Sequence, residues 1–159
     1  MANYGSISYK SPCVWVTCKE GNIPVNAVPG GDDTGGEITY VGRAVHEGNV
    51  IPGKVLTILA YCYVGHDKKE HKYRDYQALV SDGACLEWQA ATNGAVPNGA
   101  IQGGVTSDGE PLYVARALYK GMKTVGRLQP SQRCAIVTYG GEEHRYTEYE
   151  VLVCKTVNF

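Results

Sequence analysis

Shifted against itself by 73 residues, the chain overlays a second copy of itself without a gap. The segment from Trp15, "WVTCKEGNIPVNAVPGGDDTGGEITYVGRAVHEGNVIPGK", falls on the segment from Trp88, "WQAATNGAVPNGAIQGGVTSDGEPLYVARALYKGMKTVGR". The register survives downstream, where "EHKYRDYQALV" (Glu70 to Val80) falls on "EHRYTEYEVLV" (Glu143 to Val153). A solenoid needs more copies than two to bury its faces, so a single duplication argues for one domain with a pseudo-twofold axis. The expected organisation is one domain over residues 1–159, with repeats at 15–80 and 88–153 joined by "SDGACLE".

Glycines mark the turns within each repeat. Glu20-Gly21-Asn22, Gly35-Gly36, Asn93-Gly94 and Asp108-Gly109 are hairpin-type sequences that tolerate positive φ. The segments between them, "EITYVGRAV" and "EPLYVARAL", are rich in β-formers and place Tyr40, Gly42 and Ala44 on one face and Val41, Arg43 and Val45 on the other. "VLTILAYCYV" reads as the most buried strand, and "YQALV" and "YEVLVCKTVNF" as further strands. No stretch has capped helical periodicity of useful length. The expected fold is therefore all-β: a pseudo-twofold domain of two antiparallel repeats, sandwich- or barrel-like.

Fifteen basic against sixteen acidic side chains give a net charge of −1, with no basic stripe for nucleic acid or anionic lipid. The apolar runs are too short to span a bilayer, and the amino terminus lacks a signal-peptide core, so the expectation is a cytosolic protein with neither nucleic acid nor membrane insertion. That compartment predicts reduced thiols for the six cysteines. Their positions do not correspond between repeats either: Cys62 maps to Ala135, and Cys134 to Tyr61. His46, His66, His71 and His144 are scattered, so a zinc site would have to be assembled from afar, and neither metal nor cofactor is expected.

Gly48, four residues, then Gly53-Lys54 approaches the spacing of a phosphate loop. Val55 stands where such a loop needs Ser or Thr, Pro52 removes an amide donor, and a strand follows instead of a helix, so nucleotide binding is not expected. The acidic candidate lies in "PGGDDTGGE", where a glycine pair presents Asp32 and Asp33 at a loop tip. A carboxylate that accepts hydroxyl hydrogens beside an ammonium that donates can engage a polyol. On residue types alone, Asp33 also fits a turn residue and Lys54 a solvated strand-end charge. Glu70-His71 and Glu143-His144, which recur with Tyr73, Tyr76, Tyr146 and Tyr149, fit a structural hydrogen-bond network under each closing strand. Arg43 and Arg116 are expected to pair with an acid such as Glu37 or Glu110, and Trp15 and Trp88 to anchor the core.

The ordered pattern "NAVPGGDD…GE…YVGRAVHEG…PGK…Y…YEVL", present in both halves, resembles the DM9 repeat over nearly the whole chain. Proteins of this family and two-repeat size resemble non-enzymatic mannose-binding lectins of invertebrate innate recognition. The resemblance implies mannose-type glycans as partners and sugar contacts from Asp33 and Lys54, without catalytic residues. The second repeat departs from the pattern: Thr106 stands in place of Asp33, and Arg127 in place of Lys54. A hydroxyl is not a carboxylate and a guanidinium is a planar fork, so Thr106, Arg127 and the nearby Asp108 form at most a second, altered site; Asp108-Gly109 also reads simply as a turn.

Two other classes compete with a lectin: an intracellular scaffold or stress-response module without a sugar ligand, and a glycoside hydrolase using Glu37 and Glu110. The lectin reading further predicts a homodimer, with the first dozen residues and "CKTVNF" as candidate pairing strands, and release, if any, by a non-classical route. Substitutions at Asp33, Lys54, Thr106 and Arg127 are expected to leave melting temperatures nearly unchanged, being read as turn or strand-end positions.

Overall fold

A computed structural model describes residues 13–82 and 85–155. Among them the chain forms strands joined by tight turns, with two 3-10 turns, at Thr34–Gly36 and Pro130–Gln132, in place of any helix. No helix among the described residues is long and apolar enough to cross a membrane. The first half contains β1 (Cys13–Lys19), β2 (Pro29–Asp33), β3 (Glu37–His46), β4 (Asn49–Leu56), β5 (Tyr61–His66), β6 (Lys69–Tyr73) and β7 (Asp75–Ser81). The second contains β8 (Leu86–Thr92), β9 (Gln102–Val105), β10 (Pro111–Tyr119), β11 (Met122–Gln129), β12 (Cys134–Tyr139), β13 (Glu142–Tyr146) and β14 (Glu148–Cys154). The strands recur at the 73-residue shift, to the residue in β4 and β11 through β7 and β14.

The glycine-marked turns behave as their sequences require: Glu20, Gly21, Gly35, Gly36, Asn93, Gly94 and Gly109 all have positive φ. One expectation fails. "VLTILAYCYV" is not a single buried strand, because β4 ends at Leu56 and a turn carries Ile58 and Leu59 into solvent, 77% and 51% exposed, before β5 begins. The carboxylate of Glu37 accepts a bond from the Ile58 backbone N–H at 3.4 Å, and Glu110 accepts the equivalent bond from Ser131 at 2.9 Å. Hydrophobicity alone hid a turn that is fixed by a carboxylate twenty-one residues upstream.

The pairing order is β1-β7-β3-β4-β5-β6-β13-β12-β11-β10-β14-β8, which reads the same from either end once each strand is exchanged for its counterpart. At the centre Lys69 of β6 faces Glu142 of β13. The Glu70 N–H donates to the Gly141 carbonyl and the Glu143 N–H to the Lys68 carbonyl, two bonds that the pseudo-twofold axis interchanges. Away from that seam the short strands cross between halves. β9 pairs with β4 as well as β10, through Val50 and Val105, while the Lys123 backbone N–H donates to the Asp32 carboxylate at 2.9 Å.

The core follows the same plan. Val28, Val41 and Leu79 and their counterparts Ile101, Val114 and Leu152 form one buried cluster shared by the halves. Two further clusters centre one on each half, around Val55 and Val64 in the first, where Leu112 of the second joins it, and around Leu128 and Val137 in the second. The interlock depends on glycines. A Cβ on Gly104 would lie 1.9 Å from the Val50 carbonyl oxygen, and one on Gly31 would lie 1.9 Å from that of Lys123. Neither backbone can retreat without breaking its sheet. Gly104→Ala is therefore expected to lower stability by about 1–3 kcal/mol or more, and an unchanged urea midpoint would mean that the crossing strands are loosely held.

The conserved geometry of the halves extends to their arginines, but with different partners from those expected. Arg116 pairs with Glu150 at 2.8 Å, and Arg43 bonds the neutral Gln77 at 2.8 Å, so neither uses Glu37 or Glu110. Both acids are engaged instead at the turns described above. Each guanidinium also donates across the axis, Arg43 to the Gly103 carbonyl and Arg116 to that of Gly30. Each lies over a tryptophan ring, 4.3 Å from Trp15 and 4.1 Å from Trp88. The tryptophans are half-buried and pack on the shared cluster, one face on the core and the other under a cation.

Among the described residues, Cys18, Cys62, Cys85, Cys134 and Cys154 form no disulfide. Cys62 is fully enclosed, and burial raises its thiol pKa, a direction that suppresses reactivity. The expected pairing segments in the first dozen residues and in 156–159 lie outside the described residues.

Candidate functional site

Two clefts flank the central seam, at equivalent places in the two repeats. The first, about 270 Å³, is lined by Asp33, Lys54, Leu56, Leu59, Tyr63, Glu70, Tyr139 and Gly140. Asp33 ends β2, and Lys54 stands opposite Val41 on β3 and Tyr63 on β5. Tyr139 comes from the other repeat, and its hydroxyl bonds Thr34 Oγ1 at 2.8 Å, pinning the loop that carries Asp33 beside it.

Lys54 is 4% exposed and donates from Nζ to the Thr138 carbonyl at 2.7 Å, with Nζ 5.4 Å from the centre of the Tyr139 ring. Burial lowers its pKa, opposed by the charges of Glu70 and Asp33. The ammonium is thus no solvated strand-end charge. An ammonium carries three hydrogens, and only one has an acceptor among the described residues. Glu70 accepts from the Gly141 backbone N–H at 3.3 Å. The Asp33 carboxylate makes no hydrogen bond to the described residues. The cleft therefore offers a donor with spare hydrogens, an acceptor with spare lone pairs, and aromatic and leucine surfaces beside them.

The second cleft, about 210 Å³, is lined by Thr106, Arg127, Gln129 and Glu143, among others. Arg127 donates to the Gly65 carbonyl at 2.8 Å, the counterpart of the Lys54 bond to Thr138. It also pairs with Glu143 at 2.8 Å and donates from Nε to Gln129 at 3.0 Å. Glu143 further accepts from the Lys68 backbone N–H at 2.7 Å. Most of the donor and acceptor capacity is thus spent within the protein. Thr106 Oγ1 accepts from the Glu110 N–H at 3.0 Å and closes a turn in which Asp108 is exposed, away from the cleft lining.

The structure therefore brings Asp33 to Lys54 and Thr106 to Arg127, in two clefts of different chemistry, and leaves Asp108 apart. Sequence reasoning missed Tyr63, Glu70 and Tyr139 as cleft residues. Glu70 was visible in the repeated Glu-His pair, but Tyr139 had no signal, because it arrives across the axis and its counterpart in the first repeat is His66. His71 and His144 do form the structural bonds expected of them, from Nε2 to the carbonyls of His66 and Tyr139 at 3.2 and 3.1 Å. Tyr76 and Tyr149 likewise donate to the carbonyls of Asn22 and Ala95 at 2.6 and 2.9 Å. The histidines are not scattered, since His46, His66 and His71 of the four converge at one end of the first repeat.

Comparison with known proteins agrees with the strand pattern. The nematode sperm cell motility protein MFP2B matches with a TM-score of 0.68 over 97% of this chain and 50% of its own, at 14% identity, a likeness of fold alone. Natterin-4 of Thalassophryne nattereri is 31% identical over 148 residues, covering 91% of this chain but 35% of its own length. Natterin-3 of the same organism is 29% identical over 101 residues, covering 62% of this chain and 24% of its own. The chain spans about a third or less of the length of these relatives. The family model of the DM9 repeat matches residues 6–55 and 33–146, overlapping segments that together take in most of the chain, which accordingly belongs to the DM9 repeat family.

Proposed function

We propose that this protein is a non-enzymatic lectin that binds mannose-type sugars in the cleft of Asp33 and Lys54. The observation that carries the reading is the pairing of an ammonium with spare hydrogens and a carboxylate with no hydrogen bond to the described residues in one cleft. Adjacent hydroxyls of a sugar match that pair, one oxygen accepting from Lys54 Nζ while a neighbouring O–H donates to Asp33. Glu70 can accept a further hydroxyl, and Tyr63, Tyr139, Leu56 and Leu59 can cover C–H faces. Each charge-assisted bond contributes about 1.5–3 kcal/mol, so a monosaccharide binds weakly and several sites on one particle are needed for avidity. A homodimer is part of the proposal for that reason, as is a role in innate recognition or agglutination.

The hydrolase alternative receives no support from its two acids. Glu37 and Glu110 each bind the backbone of their own repeat's turn, and Glu110 also accepts from Gln129 and the Ser131 hydroxyl. Burial pushes the Glu110 pKa up, but these bonds and the Arg127 charge together outweigh it and hold the pKa low, which suits an acceptor and not a general acid. A glycan array followed by competition with free mannose tests the proposal, and absence of binding to mannose-terminated glycans would reject it. The loop that carries Asp33, "DDTGGE", lacks the ligand spacing of a calcium loop. Calorimetric affinity for mannose is therefore expected to be the same with and without EDTA, and loss on chelation would overturn this form of recognition.

A further inference from the structure

Outside both sugar-type donor–acceptor sets, three potential metal ligands converge where β3, its hairpin and β5 meet. His46 ends β3, Glu47 occupies the following turn and His66 ends β5. One ligand atom from each lies within 4.8 Å of the others, and Glu47 Oε2 is 3.8 Å from Nε2 of both histidines. We propose that His46, Glu47 and His66 bind one divalent transition-metal ion of the zinc type, leaving a fourth position open.

The geometry needs little adjustment. Bonds of about 2.0–2.1 Å in a tetrahedral site place ligand atoms roughly 3.3 Å apart. Glu47 is 72% exposed and His66 34% exposed at their side chains, so both can close that gap by rotation, while His46 is held. Its Nδ1 is bonded to the Tyr73 hydroxyl. With Nδ1–H donating to the tyrosine oxygen, the Nε2 lone pair is left on the Glu47 side of the ring, as it is when a hydrogen-bond acceptor fixes the orientation of a metal-ligating imidazole. His71 stacks on His46 with ring centres 3.9 Å apart and donates from Nε2 to the His66 carbonyl, so it braces both ligands. Two imidazoles and one carboxylate select zinc, nickel, cobalt or copper over calcium or magnesium.

The second repeat provides an internal control. Counterparts of His46, Glu47 and His66 are Tyr119, Lys120 and Tyr139, while His71 is matched by His144. The ring packing persists there, with Tyr119 centred 4.9 Å from Tyr139 and 4.4 Å from His144. Packing is thus satisfied by tyrosines, and the ligand set of the first repeat is an addition to it. Because His66 also lines the second cleft, a bound ion would stand at that cleft's edge, away from the Asp33–Lys54 pair.

The test uses the full chain with any affinity tag removed and the cysteines kept reduced. Zinc titration by calorimetry is expected to give one ion per chain, and cobalt to give a visible spectrum without a thiolate charge-transfer band. Glu47→Gln and His66→Ala, at accessible positions, should each weaken zinc binding by about 10-fold or more, while His144→Ala should leave it unchanged. These two variants keep the proposal testable if His46→Ala fails to fold. Absence of stoichiometric zinc binding, equal affinity in Glu47→Gln and His66→Ala, or a thiolate band from the cobalt form would each overturn the assignment.

Discussion

Asp33→Asn is expected to reduce mannose binding below detection while leaving the melting temperature unchanged. The substitution preserves shape but replaces an acceptor-only carboxylate with an amide, and it weakens the negative field on Lys54. A loss of about 1.5–3 kcal/mol matters because a millimolar monosaccharide site is worth only roughly 4 kcal/mol. Stability should hold because the Asp33 carboxylate carries no hydrogen bond to the described residues. Thr106→Ala, the matching change in the second repeat, should leave mannose affinity nearly intact. Equal losses from both would mean two working sites, and undiminished binding in the Asp33 variant would discard this cleft. Lys54→Ala is a less clean probe, contrary to the expectation that all four positions are thermally silent. It removes a buried bond that ties the halves together, so its effect on binding must be read beside its effect on folding.

The largest effect on stability is expected from separating Arg127 and Glu143. Their side chains are 8% and 4% exposed, and each also bonds the opposite half's backbone, Arg127 at Gly65 and Glu143 at Lys68. Removing one partner leaves the other charge buried, which typically costs about 3–5 kcal/mol. Arg127→Met or Glu143→Leu should therefore lower the melting temperature by roughly 6–20 °C. The double variant should recover much of that loss, since the pair's own desolvation cost disappears with it. Thermal melts of the four proteins form a double-mutant cycle, and strictly additive single losses would show that the two charges are not coupled.

These two sets of variants also separate what the sequence disclosed from what it concealed. Turns were legible because positive φ selects Gly and Asn, and strand positions because the duplication repeats them at a constant shift. Asp33 and Lys54 could be brought together on a family resemblance. What could not be read was the contact of Lys54 with Thr138, 84 residues away, because nothing in a linear pattern says that the halves lean on each other's strands. The same blindness scattered His46, His66 and His71, which are local in β3, β5 and β6 but meet only when the sheet coils. Arg43 and Arg116 show a subtler failure. Charge pairing was sought in the nearest acids, whereas cross-strand register chose Gln77 and Glu150.

The seam between β6 and β13 bears on how such a chain can diversify. Lys69 and Glu142 are counterparts, and they face each other directly. Two identical half-chains assembled in this manner would have to set the same residue on both sides of the axis, and either lysine against lysine or glutamate against glutamate would repel. Covalent duplication lifts that constraint, since each copy of a position can then mutate alone. Opposite charges at the axis, an ammonium in one cleft and a guanidinium in the other, and histidines at one end against tyrosines at the other are all choices closed to a symmetric homodimer. Fusion thus gives one ancestral surface two independent histories, with the unaltered strands as the common frame on which both are written.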